Sequence, residues 1–282
     1  MKNFAGIPEE YATKKGAAII LQSIPYDGTS TWGKGADRGF EAFMDAAANM
    51  ELYDIETDSE VYKLGIHMPQ SLTDFDSPAQ MVAATYERTK ELLRLNKFLT
   101  FFGGEHSISI GVMRAFREHH EDLTILQLDA HADLRKTYEG TPYNHACALH
   151  EAGQLSNLVQ VGIRSMDVTE KVYIDYDKIY FADKMQEGSA WVKASLEQMT
   201  DEVYVTLDLD VLDPSIMPAT GTPEPGGMDW YQLINYLRLV FEQKNVVGFD
   251  LVELAPIDGL RSPQFLAAKL YYKMLSYKFF GV

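Results

Sequence analysis

The stretch Leu123-Thr-Ile-Leu-Gln-Leu-Asp-Ala-His-Ala-Asp133 joins an apolar, β-branched run to an alternating set of two aspartates and one histidine. Residues i, i+2 and i+4 of a strand point to one face, so Asp129, His131 and Asp133 are expected to project together where the strand ends. Carboxylates are costly in a buried place unless they are paired or bind a metal. The stretch therefore predicts a buried strand that ends in metal ligands.

Similar apolar runs recur along the chain and alternate with amphipathic runs. Strands are predicted for 17–24, 98–102, 123–128, 158–162, 178–182, 203–207 and 246–251, and helices for 77–96, 107–118, 190–199, 229–244 and 262–279. Strands that are hydrophobic almost throughout are typical of a parallel sheet buried on both faces. Alternation of strands and helices over the whole length predicts one α/β domain, residues 1–282, with helices on both sides of the sheet.

Composition excludes several classes of protein. The net charge of −16 disfavours nucleic acid and anionic membranes as partners. There is no apolar run of membrane-spanning length. Cys147 is the only cysteine, which rules out an intrachain disulfide, and the first ten residues lack the apolar region of a signal peptide. These features predict a cytoplasmic protein with neither a nucleic-acid nor a membrane partner.

Two further strand ends carry candidate metal ligands. Gly103-Gly-Glu-His106 follows the strand predicted for 98–102, and Asp208-Leu-Asp210 follows the strand predicted for 203–207. The three strand ends together supply two histidines and four aspartates, which is enough for a two-metal centre. Without a thiolate ligand, such a carboxylate-rich set suits Mn²⁺, with Fe²⁺, Co²⁺ or Zn²⁺ as alternatives. Two metals held close together lower the pKa of a water between them, which predicts hydrolysis of a poor electrophile.

Several of these stretches resemble the signatures of the ureohydrolase superfamily, which includes arginases, agmatinases, guanidinobutyrases and formimidoylglutamases. The matching stretches, in order, are 103–106, 129–133, 205–214 and 218–227. The resemblance implies a three-layer α/β/α arginase-like fold with a central, mostly parallel sheet. It also implies two Mn²⁺ per subunit and hydrolysis of a guanidinium group to urea and an amine by a metal-bridging hydroxide. Members of the family are usually homotrimers or homohexamers.

The resemblance also implies a role for each candidate ligand. Asp129 and Asp208 would bridge the two manganese ions, and Asp133 would also accept a hydrogen bond from the bridging hydroxide. The ligands of one manganese would be His106, Asp129, Asp133 and Asp208, and those of the other Asp129, His131, Asp208 and Asp210.

Three further residues are expected to act on the substrate. Glu253 lies in an apolar run, where a glutamate is costly unless a cation meets it. By resemblance it pairs with the substrate guanidinium, which matches a carboxylate in a two-pronged geometry. The alternative for Glu253 is a structural salt bridge. Also by resemblance, Thr222 lies near the guanidinium, and His145 shuttles protons to the leaving amine, a task that suits its near-neutral pKa.

The substrate prediction depends on the loop after Asp133. Arginases carry an asparagine two residues after that aspartate, whereas this chain has Arg135. The segments 133–145 and 162–165 instead resemble bacterial agmatinases, which predicts hydrolysis of agmatine to putrescine and urea. Glu139 or Asp167 would then meet the distal ammonium of agmatine. Arg135 leaves two readings open, because it either meets the carboxylate of guanidinobutyrate or another ω-guanidino acid, or faces solvent. Arginase and formimidoylglutamase remain further alternatives.

One segment departs from the family pattern. In 28–40, Lys34 stands where a proline is usual and Asp37 interrupts the run. We expect this segment to lie away from the metal ligands and to affect substrate entrance or subunit packing rather than the chemistry.

The sequence disfavours two rival functions. A two-metal phosphoesterase would need basic residues to clamp a phosphate, whereas the site stretches offer acids. A non-catalytic, polyamine-binding homologue would be expected to lack a metal ligand or the acid at position 253, and all of these are present.

Overall fold

One eight-stranded sheet lies at the centre of the computed structural model, which describes residues 3–281. All neighbouring strands are parallel, and their order is β2-β1-β3-β8-β7-β4-β5-β6. The strands are β1 (Ile19–Ile24), β2 (Ile66–His67), β3 (Phe98–Gly103), β4 (Leu123–Leu128), β5 (Asn157–Ile163), β6 (Ile179–Phe181), β7 (Glu202–Asp208) and β8 (Asn245–Val252). All seven predicted strands are present, and only the two-residue β2 was missed. The ends of the predicted domain, residues 1, 2 and 282, lie outside the described residues.

The helices lie between the strands along the chain. They are α1 (Gly39–Ala47), α2 (Pro78–Leu93), α3 (Ile108–His119), α4 (His150–Leu155), α5 (Ala182–Met185), α6 (Ala190–Glu197), α7 (Trp230–Gln243) and α8 (Ser262–Phe280). The five predicted helices correspond to α2, α3, α6, α7 and α8. The short helices α1, α4 and α5, of nine, six and four residues, were not predicted. None of the helices within residues 3–281 is both long and apolar enough to cross a membrane.

Two hydrophobic cores cover the two faces of the sheet. Side chains of α1, α6, α7 and α8 pack in one core, and side chains of α2, α3 and α4 pack in the other. Alternate residues of a strand enter opposite cores, as Leu126 and Ile125 of β4 do. This arrangement confirms the predicted three-layer α/β/α fold with a parallel sheet.

The strand order brings four strand ends to one place. β3, β8, β7 and β4 are neighbours, and Phe102, Leu251, Leu207 and Leu128 are aligned with one another across them. The residues that follow these four strands therefore leave the same edge of the sheet, where ligands bind in open α/β folds. Their side chains form the site described next.

Candidate functional site

The first group of close ligand atoms surrounds His106. Its Nδ1 lies 3.1 Å from Asp129 Oδ2, 3.3 Å from Asp133 Oδ2 and 3.4 Å from Asp208 Oδ2. All four side chains are buried, and the Nδ1 atom makes no well-directed hydrogen bond within the described chain. His106, Asp129 and Asp208 each offer an atom to one potential metal position.

The second group contains Asp129, His131 and Asp210. His131 Nδ1 lies 2.9 Å from Asp210 Oδ2 and 3.7 Å from Asp129 Oδ1. Asp129 thus belongs to both groups, with one carboxylate oxygen facing each. Asp208, the other expected bridge, belongs to the first group only, and Asp133 approaches that group through its contact with His106.

The charges of these groups fit divalent cations. Burial raises the pKa of Asp208 well above its usual value, and the charges of Asp210 and Asp129 raise it further. Burial would lower the pKa of His131, but the charge of Asp210 and contacts with Asp129 raise it to about 12. The clustered carboxylates are therefore stabilised by nearby positive charge. Protonated imidazoles supply that charge when no metal is bound. Since metal ligation requires deprotonated imidazole, cations would replace these protons. Buried carboxylates, two imidazoles and the unpartnered Nδ1 of His106 suit two divalent ions that accept oxygen and nitrogen ligands.

A buried hydroxyl and carboxylate orient His106. Its Nε2 lies 2.9 Å from Thr206 Oγ1, and the Thr206 hydroxyl donates to Asp250 Oδ1 at 2.7 Å. The hydroxyl has one proton, so it accepts from the imidazole, and Nε2 must carry a hydrogen. The lone pair of His106 is thereby directed to Nδ1, which faces the aspartates. Such support of a ligating histidine is usual around metal sites.

Two glutamines orient Asp129. Gln127 Nε2 donates to Asp129 Oδ2 at 2.7 Å, and Gln160 Nε2 donates to Gln127 Oε1 at 2.6 Å. Sequence reasoning missed both glutamines, as well as Thr206 and Asp250. The available signal was the same for all four, because each is a polar residue inside a strand that is otherwise almost entirely apolar.

Glu253 follows β8 and points into the site. It is buried, and its Oε1 accepts a hydrogen bond from the backbone N–H of His106 at 2.7 Å. No Lys or Arg of the described chain forms an ion pair with Glu253, which argues against the alternative of a structural salt bridge. Burial and the charge of Glu105 raise the pKa of Glu253 well above its usual value. A cation bound next to Glu253 would stabilise the charged form of its carboxylate.

The backbone of the site is strained at two of the predicted residues. Glu253 has φ +67° and Asp133 has φ +53°, in the left-handed region that side chains other than glycine rarely adopt. Strain of this kind is kept where the surrounding structure requires it, and it concentrates at functional sites. The backbone N–H of Glu253 donates a hydrogen bond to Gly104 O at 2.8 Å, which supports this conformation.

One cleft of about 230 Å³ brings the predicted substrate residues and metal ligands together. Its lining includes Asp133, His145, Asp210, Thr222 and Glu253. These residues lie on the loops after β4, β7 and β8, which are far apart in sequence and meet at one edge of the sheet. The cleft can therefore hold a small molecule against both ligand groups and against Glu253.

Arg135 also lines this cleft rather than facing bulk solvent. Its guanidinium lies 3.7 Å from Asp167 and 4.0 Å from Glu170, and it stacks over the ring of Tyr138 at 4.4 Å. Asp167 and Glu170 line the cleft too, whereas Glu139 is exposed and does not. The charge of Arg135 is thus already met by two carboxylates of the same chain.

His145 and the start of the 28–40 segment meet beside the cleft. Thr29 Oγ1 lies 3.3 Å from His145 Nδ1, and Thr31 lines the cleft. The expectation that this segment lies away from the chemistry was therefore wrong for its first residues. The cause is a close backbone contact, because Gly33 N donates to Gly221 O and a Cβ at Gly33 would lie only 2.5 Å from that oxygen. This contact holds the segment against the loop that carries Thr222.

Arg164, in the 162–165 stretch, ties the loops after β5 and β7 together. Its guanidinium donates to backbone carbonyls on both sides of the loop that follows β7, including Asp210 O at 2.6 Å and Glu224 O at 2.8 Å. A fixed fork of donors suits several carbonyls at once. The arginine thereby supports the backbone of a candidate metal ligand.

Comparisons with known proteins identify the family to which the chain is similar. Residues 17–276 match the Arginase family. An N(1)-aminopropylagmatine ureohydrolase of Synechocystis sp. is 36% identical over 272 residues, which cover 93% of this chain and 89% of the relative. An agmatinase of Pyrococcus horikoshii is 30% identical over 280 residues, which cover 93% and 92%. The crystal structure of the agmatine ureohydrolase of Thermoplasma volcanium has a TM-score of 0.86 at 26% identity and covers 99% of this chain and 94% of its own.

These matches run through the whole sheet and include every stretch on which the resemblance was based. They confirm the predicted superfamily and favour its reaction over that of a phosphoesterase. The chain belongs to the arginase family and is an amidinohydrolase of the agmatinase type.

Proposed function

We propose that this protein hydrolyses agmatine to putrescine and urea. The observation that carries the proposal is Glu253, a buried carboxylate without a cationic partner that shares one cleft with both groups of candidate metal ligands. A guanidinium is the cation that a carboxylate binds in a two-pronged geometry. The cleft thus offers a binding position for the guanidinium at Glu253, next to the two ligand groups at which hydrolysis would occur.

N1-aminopropylagmatine is the second candidate substrate. The relative from Synechocystis is named for this compound, and the one from Pyrococcus for agmatine. Both compounds carry the same guanidinium and differ in the cationic tail. Both candidates would place the same guanidinium at Glu253. They would differ at the part of the cleft lined by Arg135, Asp167 and Glu170, here called the tail region.

We infer that two Mn²⁺ ions occupy the two ligand groups. His106, Asp129, Asp133 and Asp208 would hold one ion, and Asp129, His131, Asp208 and Asp210 the other. Bound metal would supply a Lewis acid and activate water near neutral pH. The predominance of carboxylate oxygen over imidazole supports manganese.

The protein's own residues have separate tasks in this proposal. Glu253 binds the guanidinium and orients its carbon toward the ligand groups, with Thr222 beside it. Asp133 accepts a hydrogen bond from the attacking water and so directs its lone pair; burial raises the pKa of Asp133 to about 6. His145 delivers a proton to the amine that leaves. Burial lowers the pKa of His145, so the ring is neutral at rest and can take up the proton that it passes on.

The tail region favours an amine over an acid. Arg135 supplies one positive charge there, while Asp167 and Glu170 supply two carboxylates. A distal ammonium would meet net acidic surroundings, whereas the carboxylate of guanidinobutyrate would have to displace acids from Arg135. These charges support agmatine-type substrates over ω-guanidino acids and arginine.

Product analysis after loading with Mn²⁺ tests the proposal. Agmatine, N1-aminopropylagmatine, arginine and 4-guanidinobutyrate would be offered separately, with urea and the amine product measured for each. We expect urea and putrescine from agmatine, with kcat/KM at least about 100-fold above that for arginine, since a site without groups for an α-carboxylate loses several hydrogen bonds.

Other outcomes would change the assignment in defined ways. Urea from N1-aminopropylagmatine with little from agmatine would select the second candidate. Preferred turnover of 4-guanidinobutyrate would mean that Arg135 leaves Asp167 and binds the substrate. No urea from any of the four compounds would contradict the proposed function.

We also infer that residues 1–282 act as a single ureohydrolase domain that assembles as a homotrimer or homohexamer. The single sheet with a core on each face supports the first part. Light scattering coupled to size-exclusion chromatography would measure the assembly, and a monomer would contradict the second part.

A further inference from the structure

Glu105 lies next to the candidate ligand His106, yet its side chain belongs to neither ligand group and contacts the segment that carries Thr29. It is fully buried and accepts four hydrogen bonds. Oε1 accepts from the hydroxyls of Thr29 at 2.5 Å and Ser107 at 2.6 Å, and Oε2 accepts from Thr29 N at 2.7 Å and the Ser30 hydroxyl at 3.2 Å. A carboxylate has two acceptor sites on each oxygen. All four acceptor sites of Glu105 are therefore filled by donors.

The filled carboxylate determines the direction of the Thr29 hydroxyl. A threonine hydroxyl has one proton and two lone pairs. The proton of Thr29 goes to Glu105, so its oxygen can only accept from its other neighbours. Those neighbours belong to His145, whose backbone N–H donates at 3.0 Å and whose Nδ1 lies at 3.3 Å. The Nδ1 atom must carry a hydrogen, or two lone pairs would face each other.

We propose that Thr29 and Glu105 are positioning residues that hold His145 in the tautomer with hydrogen on Nδ1 and the lone pair on Nε2. Neither residue needs to touch the substrate. A carboxylate, a hydroxyl and an imidazole form a chain in which each member fixes the next, and the ring that results lines the cleft with its basic nitrogen free. The value of this tautomer for turnover rests on the proposed function, whereas the tautomer itself follows from the hydrogen bonds alone.

A second chain of the same composition supports this interpretation. Asp250, Thr206 and His106 are linked in the same order, carboxylate to hydroxyl to imidazole. There the hydroxyl meets Nε2, so the lone pair is left on Nδ1, the atom that faces the aspartates. The site thus sets buried His106 and half-buried His145 in opposite tautomers, one suited to ligating a metal and one to moving a proton.

The conformation around Glu105 is built for this contact. A Cβ at position 104 would lie 1.9 Å from Tyr26 O, so only glycine lets the chain after β3 approach the segment that carries Thr29. Glu105 N donates to Tyr26 O at 2.8 Å, which holds the two backbone segments together. Thr29 and Glu105 are separated by 76 residues in sequence, and this backbone contact brings them together.

Variants at Thr29 test the consequence for turnover. Thr29→Val keeps the shape of the side chain but removes the hydroxyl, and Thr29→Ser keeps the hydroxyl. We expect T29V to lower kcat by about 10- to 100-fold, part of the usual contribution of general acid–base catalysis, with little change in KM and with bound manganese unchanged. T29S should stay within about threefold of the original kcat. Thr73→Val, at an exposed position, is the matched control.

Neutron diffraction from a deuterated crystal of the metal-loaded enzyme tests the tautomer without any activity. We expect deuterium on Nδ1 of His145 and on Thr29 Oγ1 toward Glu105, with none on Nε2 near neutral pH. Deuterium on Nε2 and not on Nδ1 would overturn the proposal, and so would a T29V enzyme with unchanged kcat or a T29S enzyme as slow as T29V. If the deuterium is on Nδ1 but no guanidine is hydrolysed, the proposed function fails and the tautomer assignment stands.

Discussion

At the scale of single residues, Glu253 tests the assignment of the guanidinium site. The change to glutamine keeps the shape of the side chain and removes its charge. Leaving a buried cation without its partner costs about 3–5 kcal/mol, so we expect kcat/KM for agmatine to fall by about 10²- to 4 × 10³-fold. Glu253 belongs to neither ligand group, so metal content should not change.

Elemental analysis and urea release, measured on the same preparation, would check both halves of this prediction for Glu253→Gln. Glu139→Gln removes an exposed carboxylate outside the cleft and serves as the control. Kinetics of E253Q indistinguishable from those of the original enzyme would remove Glu253 from its proposed role. Loss of metal would instead make it a ligand.

Asp129 carries a different prediction, because within residues 3–281 it is the residue that lies in both groups of close ligand atoms. Asp129→Asn would turn an acceptor oxygen into an N–H₂ group facing Gln127 Nε2 or the imidazoles. We expect the variant to lose both metals and nearly all turnover. Metal content per subunit measures this directly. Full activity of either D129N or Asp208→Asn with one metal per subunit would contradict the two-metal proposal.

At the scale of elements, Arg164 tests how far the loops depend on one another. Arg164→Lys replaces a fork of donors with a single ammonium and leaves backbone carbonyls of the loop after β7 without partners. Unsatisfied buried acceptors cost about 1–3 kcal/mol each, so we expect the free energy of unfolding to fall by about 2–4 kcal/mol. Manganese affinity should fall too, because Asp210 O is one of these carbonyls.

Denaturant unfolding of R164K with and without manganese would measure both effects. Arg88→Lys is the control, since Arg88 makes only a surface ion pair with Glu91, and such pairs contribute about 0–1 kcal/mol. Equal stability of R164K and R88K would show that the loops hold their positions without the guanidinium.

The elements also show what the sequence could and could not predict. The strand ends were predictable because apolar runs such as β4 are followed directly by aspartates and histidines, although β4 ends at Leu128 and the left-handed φ of Asp133 breaks the strict alternation that was expected. Thr29 and Glu105 were not, since their contact with His145 depends on the order of strands and on a backbone approach at Gly104. A pattern read along one segment carries no information about a partner 76 or 116 residues away. β2 was missed for another reason, because two residues cannot show a period.

At the scale of the whole molecule, the metal groups determine how stability depends on pH. Burial raises the pKa of Asp133 to about 6 and that of Asp208 well above its usual value. The metal-free folded chain therefore keeps protons that the unfolded chain releases above about pH 4. Burial alone would lower the pKa values of His106 and His131, but neighbouring carboxylates raise them above the usual value. The folded chain therefore also keeps imidazole protons that the unfolded chain releases above about pH 6.5. Through these four groups the folded state binds more protons between about pH 4 and 8, so their contribution to stability falls as the pH rises. Burial would raise the pKa of Asp129, but contacts with His106 and His131 lower it, so Asp129 acts in the opposite direction only in more acidic solution.

Bound cations should reverse this trend, because they take the place of the protons and favour the charged carboxylates. We expect EDTA to lower the melting temperature by about 5–10 °C at neutral pH, the effect of a ligand at about 100 times its Kd on a domain of this size. We expect the difference between the manganese-loaded and metal-free melting temperatures to widen as the pH rises from about 5.5 to 8. Calorimetry across this range measures it, and Asp129→Asn, which should not bind the metals, is the control. A difference that stays constant or narrows with rising pH would show that the buried aspartates are not the groups that the metals neutralise.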